Sequence, residues 1–275
     1  MPDPSAASLL QIAPNDYPPF LDICRCYHTA ALSLGMTSRV VFLGVTTSRQ
    51  DADFEYLNNP GFKDTARLVA SLKREVSDHQ GIVLCHRHRA YWVWLRSRLK
   101  AHKVVALAHE FGFFGRVGRR LAWWLLARDY LAGAVSDAVL AEHSRTTSRT
   151  LLLPNAIEIE IPLLDRNAAC ATLGLEPDRI NIGLVGRLHP KKRPDLALRA
   201  FAVLASRLPD AHLVFIGDGE LEGELRSAAV DQSVTFCGRV KDAATTFRAL
   251  DVLLMTSTDE EAFGMVVLEA MRAGV

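Results

Sequence analysis

The chain has 275 residues, 49% of them hydrophobic and 23% charged, with 32 Lys+Arg against 31 Asp+Glu. That composition excludes a disordered or collagen-like chain, and at ~100–200 residues per domain the length predicts about two domains with cores of their own. The balanced net charge of +1 argues against a nucleic-acid-binding protein, and no recognition motif accompanies it.

In chain order, strands are predicted at SLLQIA (8–13), RVVFLG (39–44), IVLC (82–85), VVALA (104–108) and AVLA (138–141), with helices between them. Phe20, Ile23, Tyr27, Ala31 and Leu34 form one apolar stripe at helical spacing, closed by Gly35. Prolines bracket an extended stretch at LLLPNAIEIEIP (151–162), which places the expected boundary between a first domain of 1–155 and a second of 156–275. Beyond it INIGLV (180–185), AHLVFIG (211–217), SVTFC (233–237) and DVLLM (251–255) each precede a helix-like segment. Near-continuous apolar strands with helical crossovers predict a parallel sheet covered on both faces. Pro194 and Asp195 suit a first helical turn, and Leu196, Ala197, Ala200, Phe201 and Leu204 recur on one face. The last helix, MVVLEAMRAG (265–274), closes on Gly274, and Val275 reads as the opening of another strand. The expected fold class is therefore α/β with two Rossmann-like domains, the second of them incomplete.

Five scattered cysteines and an N-terminus without a basic segment leading into an apolar run fit reduced thiols and a cytoplasmic location. Runs such as LAWWLLA (121–127) fall far short of the ~20 residues of a spanning helix. Charge is nonetheless uneven: residues 86–128 hold ten Lys/Arg against one acid, Glu110. Within GRVGRRLAWWLLARDY (115–130), Arg116, Arg119, Arg120 and Arg128 accompany Leu121, Trp123, Trp124, Leu125 and Leu126. Two readings stand: contact with an anionic membrane surface or acidic glycolipid on the inner face of the cell membrane, or a domain helix with one core face and basic residues turned outward.

Three loops at strand ends carry candidate chemistry. GRLHPKKRP (186–194) sets Arg187, Lys191, Lys192 and Arg193 between a strand and a helix N-terminus, which suits a phosphate or, failing that, a solvated basic loop. GDGELEG (217–223) is not G-x-G-x-x-G, so a dinucleotide fingerprint is excluded and a tight turn is the better reading. In STDEEAFGMVVLEA (257–270), Gly264 permits close backbone approach, the N–H groups of Gly264 and Met265 suit a phosphate, and Glu261 and Glu269 suit sugar hydroxyls. The plainer alternative is acids favouring a helix N-terminus. DAD (51–53) has a D-x-D form but sits in a polar loop, and Cys85, His86 and His88 lack zinc-site spacing, so no metal site is expected.

Glu261-Ala-Phe263-Gly264-Met265-Val-Val-Leu-Glu269 resembles the E-x7-E signature of retaining family 4 (group 1) glycosyltransferases, which have the GT-B architecture of two Rossmann-like domains. PNAIE (154–158), Gly186-Arg187-Leu188 with Lys192, FIGDGE (215–220) and FCGRV (236–240) match further family elements in order. The resemblance implies that Arg187 and Lys192 hold the donor diphosphate and that the Gly238-Arg239-Val240 turn lies beside the nucleobase. It also implies that the backbone of Phe263, Gly264 and Met265 meets phosphate and donor sugar, with Glu261 near the sugar and Glu269 on the ribose. His109, at the end of VVALA, matches a family histidine near the donor sugar, which makes His109 and Glu261 the catalytic candidates. Where family members carry a Gly-Gly loop after the first strand, this chain reads APNDYPPFLD (13–22), whose prolines remove N–H donors.

The implied function is transfer of a sugar from a nucleotide-sugar donor to a glycan or lipid-linked glycan acceptor, with retention, in bacterial cell-surface polysaccharide or lipopolysaccharide synthesis. No metal and no cofactor is implied. The alternative is a non-catalytic remnant that binds nucleotide or a partner protein.

Overall fold

The computed structural model describes residues 7–16, 20–44, 53–57, 64–127, 129–157, 162–230, 232–257 and 261–275. Asp51, Arg128, Glu158, Asp259 and Glu260, singled out in the sequence, lie outside the described residues, as does 17–19 of the proline loop. The chain divides into two compact units, Met1–Glu158 and Ile159–Val275.

The first unit runs β1 (Ser8–Ala13), α1 (Phe20–Ser33), β2 (Thr37–Phe42), β3 (Glu55–Tyr56), α2 (Thr65–Val76), β4 (Ile82–His86), α3 (Arg87–Ser97), β5 (Lys103–Ala108), α4 (Val117–Leu126), β6 (Leu131–Ala134), α5 (Asp137–Ser144) and β7 (Thr150–Leu152). The strands form one parallel sheet in the order β3-β2-β1-β4-β5-β6-β7. β1 lies inside it, so Leu10, Gln11, Ile12 and Ala13 are all buried in place of the alternation of a half-exposed strand. α1 buries Phe20, Ile23 and Ala31 of the predicted stripe, and Cys24 beside them. Leu34 falls beyond the helix and is exposed, because the chain turns off at Gly35, whose φ is +74° and whose N–H donates to the Leu32 carbonyl at 2.9 Å.

One predicted strand is overturned: AVLA (138–141) lies within helix α5. Ser136 caps that helix by accepting from the Val139 N–H, and Asp137 sits in its first turn, so local capping outweighs a four-residue apolar run. The strand of this region is LAGA, one step earlier.

The second unit runs α6 (Arg166–Leu173), β8 (Ile180–Val185), α7 (Pro194–Ala205), β9 (Ala211–Ile216), α8 (Glu222–Ala228), β10 (Val234–Gly238), β11 (Val252–Leu253) and α9 (Met265–Ala273), with short 3₁₀ turns at Pro190–Lys192 and Ala243–Ala249. Its sheet is parallel, in the order β10-β9-β8-β11. Period-two geometry divides β9 between two cores: Leu213 and Phe215 pack with Leu198, Phe201 and Leu225, while Val214 and Ile216 pack with Cys170, Leu173 and Leu250. Both faces are thus covered, as the apolar strands predict.

DVLLM shortens to a two-residue strand held by a polar clamp at its start. The Asp251 carboxylate accepts from the Asn181 N–H at 2.8 Å and from Arg166 Nη2 at 3.0 Å, and the Asp251 N–H donates to the Asn181 carbonyl. Asn181, fully buried, donates its amide Nδ2 to the carbonyls of Glu176 and Ala249.

Candidate functional site

The chain leaves β8 toward β9 and β10 and then returns to lay β11 on the other side of β8. In an open parallel sheet, ligands lodge at the carboxyl ends of the strands where the order reverses, which here means the loops after β8 and β11. These loops carry Arg187 and Lys192 on one side and Glu261 and Gly264 on the other.

Backbone hydrogen bonds knit the strand ends together. The N–H groups of Gly186, Leu188 and Gly217 donate to the carbonyls of Ile216 (2.9 Å), Asp218 (2.8 Å) and Gly238 (2.7 Å). A Cβ on Gly217 would lie 2.1 Å from the Gly186 carbonyl oxygen, and one on Gly219 would lie 2.4 Å from that of Leu188. The close glycines of GDGELEG therefore serve loop-on-loop packing, in keeping with the tight-turn reading.

The loop cations part company. Arg193, with a left-handed φ of +48°, is bound by Asp195 through two contacts of 3.0 and 3.1 Å, and its guanidinium holds the Asp195 carboxyl below the usual carboxylate range. Arg193 thus shapes the entry to α7. Arg187 is exposed. Lys192 anchors its loop to the next one: its carbonyl accepts from Thr256 Oγ1 at 2.7 Å, and its ammonium is paired with the Glu261 carboxylate. Ser257 Oγ donates to the same carboxylate oxygen at 3.1 Å. Two residues that the sequence assigns to phosphate and sugar are in direct contact here.

α9 follows Gly264, whose φ is +77° and which, having no side chain, makes no capping bond of its own. Met265 opens the helix, Phe263 is partly buried before it, and Glu269 is partly buried more than one turn in. Gly238 ends β10 with a φ of +65°, and the Val240 side chain packs against the Cys170 and Leu250 core.

The first unit has its own reversal of order, between β1 and β4. There Gln11 on β1, His86 at the end of β4 and His109 just after β5 are linked. His86 Nε2 lies 3.1 Å from Gln11 Oε1, and His86 Nδ1 lies 3.0 Å from His109 Nε2. Phe20 meets the His109 ring edge-on at 5.3 Å, and Arg87, at a φ of +66°, pairs with Glu110 and sits 5.4 Å over Phe20. A recess of about 90 Å³ opens beside them, lined by Arg87, His88, His109, Glu110, Phe113 and Arg119. Burial pushes His86 down to about 3 and, with help from Arg119 and Arg116, His88 down to about 4. Burial, then His86 and Arg87, holds His109 well below the usual histidine range, so all three are neutral at pH 7.

Sequence reasoning found His109 but treated His86 only as a polar strand-end residue, and it passed over Gln11 and Asn155. A signal was available: a glutamine inside the apolar run SLLQIA has to find buried partners. Among the described residues, no three His, Cys, Asp or Glu side chains gather as a metal site, and no helix is long and apolar enough to cross a membrane.

Residues 179–275 match the model of the glycosyl transferases group 1 family. That stretch, most of the second unit, is similar to the group 1 glycosyltransferases. The chain is 25% identical over 311 residues, 98% of its own length and 80% of the relative's, to the GDP-mannose-dependent monoacylated alpha-(1-6)-phosphatidylinositol monomannoside mannosyltransferase of Corynebacterium glutamicum. It is 37% identical over 123 residues to the D-inositol 3-phosphate glycosyltransferase of Rhodococcus erythropolis, a match spanning 40% of the chain and 28% of that relative. In fold it is similar to Anabaena Alr3699/HepE, solved in complex with UDP and glucose, with a TM-score of 0.75 at 19% identity, covering 98% of this chain and 79% of that one. The fold is GT-B, with two Rossmann-like units and the smaller sheet second.

Proposed function

We propose that this chain transfers a sugar from a nucleotide-sugar donor to a glycan or lipid-linked glycan of cell-surface polysaccharide synthesis, with retention. The observation that carries the reading is the Lys192–Glu261 ion pair, which joins the loop after β8 to the segment that leads into α9, at the reversal of order between β8 and β11. Fixed cations and free N–H dipoles suit a diphosphate and stabilise the charge that grows on it as the glycosidic bond breaks. In this reading Arg187, Lys192 and the backbone of Phe263, Gly264 and Met265 bind the diphosphate and sugar. Glu269 binds the ribose, the Gly238–Val240 turn faces the base, and Glu261 and His109 meet the transferred sugar. The bond from C1 to the β-phosphate oxygen breaks, the acceptor oxygen bonds C1 on the same face, and the acceptor proton passes to the departing phosphate. No step calls on a metal.

Calorimetric titration with UDP, GDP and ADP tests the donor site. One nucleotide is expected to bind, and Arg187→Ala is expected to weaken it ~10–100-fold, the worth of a charge-assisted hydrogen bond. Arg187 is exposed, so the variant should fold. Failure of the folded chain to bind any of the three would overturn the reading.

The acceptor side has its own support. On α4, Val117, Leu121, Trp124 and Leu125 recur at helical spacing and are 71%, 54%, 65% and 54% exposed, while Trp123 is buried. The helix thus turns an apolar stripe to solvent, next to the exposed Arg116 and Arg120. We propose an anionic bilayer as the occupant of this stripe, because Arg116, Arg119 and Arg120 in its first turns give it a basic flank. Vesicles of phosphatidylglycerol and phosphatidylcholine should co-sediment the chain, and those of phosphatidylcholine alone should not. Leu121→Ser with Trp124→Ser should abolish the binding. Concentration-dependent dimerisation lost in that variant, without vesicle binding, would assign the stripe to a second copy instead.

A further inference from the structure

We infer that Gln11 and His86 are positioning residues that hold the His109 imidazole in its Nε2-protonated form, with Nδ1 kept as a hydrogen-bond acceptor. The direction of each bond follows from the one before it. Gln11 Nε2 donates to the Cys24 carbonyl of α1 at 3.0 Å, which turns Oε1 of the same amide toward His86. A carbonyl oxygen only accepts, so the proton of neutral His86 is on Nε2 and its Nδ1 carries a lone pair. His109 Nε2, 3.0 Å away, is then the donor. A neutral imidazole has one N–H, so His109 Nδ1 is an acceptor.

That nitrogen is buried without a hydrogen-bond partner, as is Oδ1 of Asn155, whose side chain lies against His109. The two orphans are reconciled when the Asn155 amide is turned over, so that Nδ2–H in place of Oδ1 meets His109 Nδ1. Hydrogen bonds then run one way, from Asn155 through His109, His86 and Gln11 to the Cys24 carbonyl. The chain ties the connector after β7 to β5, β4, β1 and α1, and all the side chains in it are buried save a part of His109. The neutral His109 ring has no proton on Nδ1 to give. It is a fixed acceptor for an O–H or N–H group, and a sugar hydroxyl at Nδ1 would take the place of the Asn155 amide.

The hydrogen-bond direction stands independently of the donor reading, and only its kinetic consequence rests on that reading. Long-range ¹H–¹⁵N spectra of the whole chain, labelled on histidine, should show His109 protonated on Nε2 and bare on Nδ1 throughout pH 5–8. His86→Asn, which offers an amide oxygen close to the position of Nδ1, should keep that pattern, and His86→Phe should lose it. A proton on His109 Nδ1 in the parent chain, or the same pattern in His86→Phe, would overturn the inference. Should His86→Phe not fold, the spectrum of the parent chain decides alone. Where nucleotide-sugar turnover is measurable, His86→Phe should lower kcat at least ~10-fold and leave donor KM within ~3-fold, with His86→Asn restoring most of it.

Discussion

Lys192→Ala is expected to lower nucleotide affinity by ~100-fold or more, beyond what loss of a single phosphate contact gives. Two effects act in the same direction. The diphosphate loses a charge-assisted partner, worth ~1.5–3 kcal/mol. The Glu261 carboxylate, which is paired with Lys192, is then left facing an incoming anion. Adding Glu261→Gln removes the second effect, so the double variant should recover ~10-fold in affinity, a coupling of ~1.4 kcal/mol. Glu261→Gln alone should bind the free nucleoside diphosphate a few-fold more tightly, because Lys192 no longer has to leave a partner, and should transfer sugar more slowly. A double variant that binds no better than Lys192→Ala by calorimetry would show that the pair is not an element of the nucleotide site.

Gly264→Val is expected to abolish nucleotide binding and to lower Tm by several degrees. The cause is backbone conformation more than space. A φ of +77° costs a residue with a Cβ ~1–2 kcal/mol, and a β-branched one more. The contact that a Cβ would make, 2.9 Å from Met255 Cε, is with the end of a flexible side chain that can yield. Relief of that contact by Met255→Ala should therefore leave the loss of binding unchanged. If Met255→Ala restores binding to Gly264→Val, crowding and not the orientation of the first N–H groups of α9 is what the glycine avoids.

Most of the second unit was legible in sequence because its two central strands, β8 and β9, are largely buried. INIGLV and AHLVFI are apolar on both faces, and each passes into a loop and a helix with its own start signals, Pro194 and Asp195 among them. The first unit was harder. AVLA has strand composition, but Ser136 ahead of it accepts from the Val139 N–H, Asp137 opens the first turn, and a helix follows. The residue types of the candidate donor site could be read as well, because strand-end loops recur in a known order. Their mutual contacts could not. Lys192 and Glu261 are 69 residues apart in sequence, and only the return of β11 to the flank of β8 makes them neighbours. Gln11, His86 and His109 come from three strands, and their link depends on a strand order that periodicity does not state.

The polar clamp of Arg166, Asp251 and Asn181 lies at the amino ends of β8 and β11, and the loops with candidate chemistry lie at the opposite ends. The frame and the ligand contacts are thus specified by separate sets of residues. In the proposed reading, substitutions in 186–193 or 261–264 exchange one nucleotide or sugar for another without touching the bonds that hold β11 beside β8. Such an arrangement lets donor preference drift among descendants of one fold, and it marks the end of the sheet at which a designer would vary residues and the end that should be left alone.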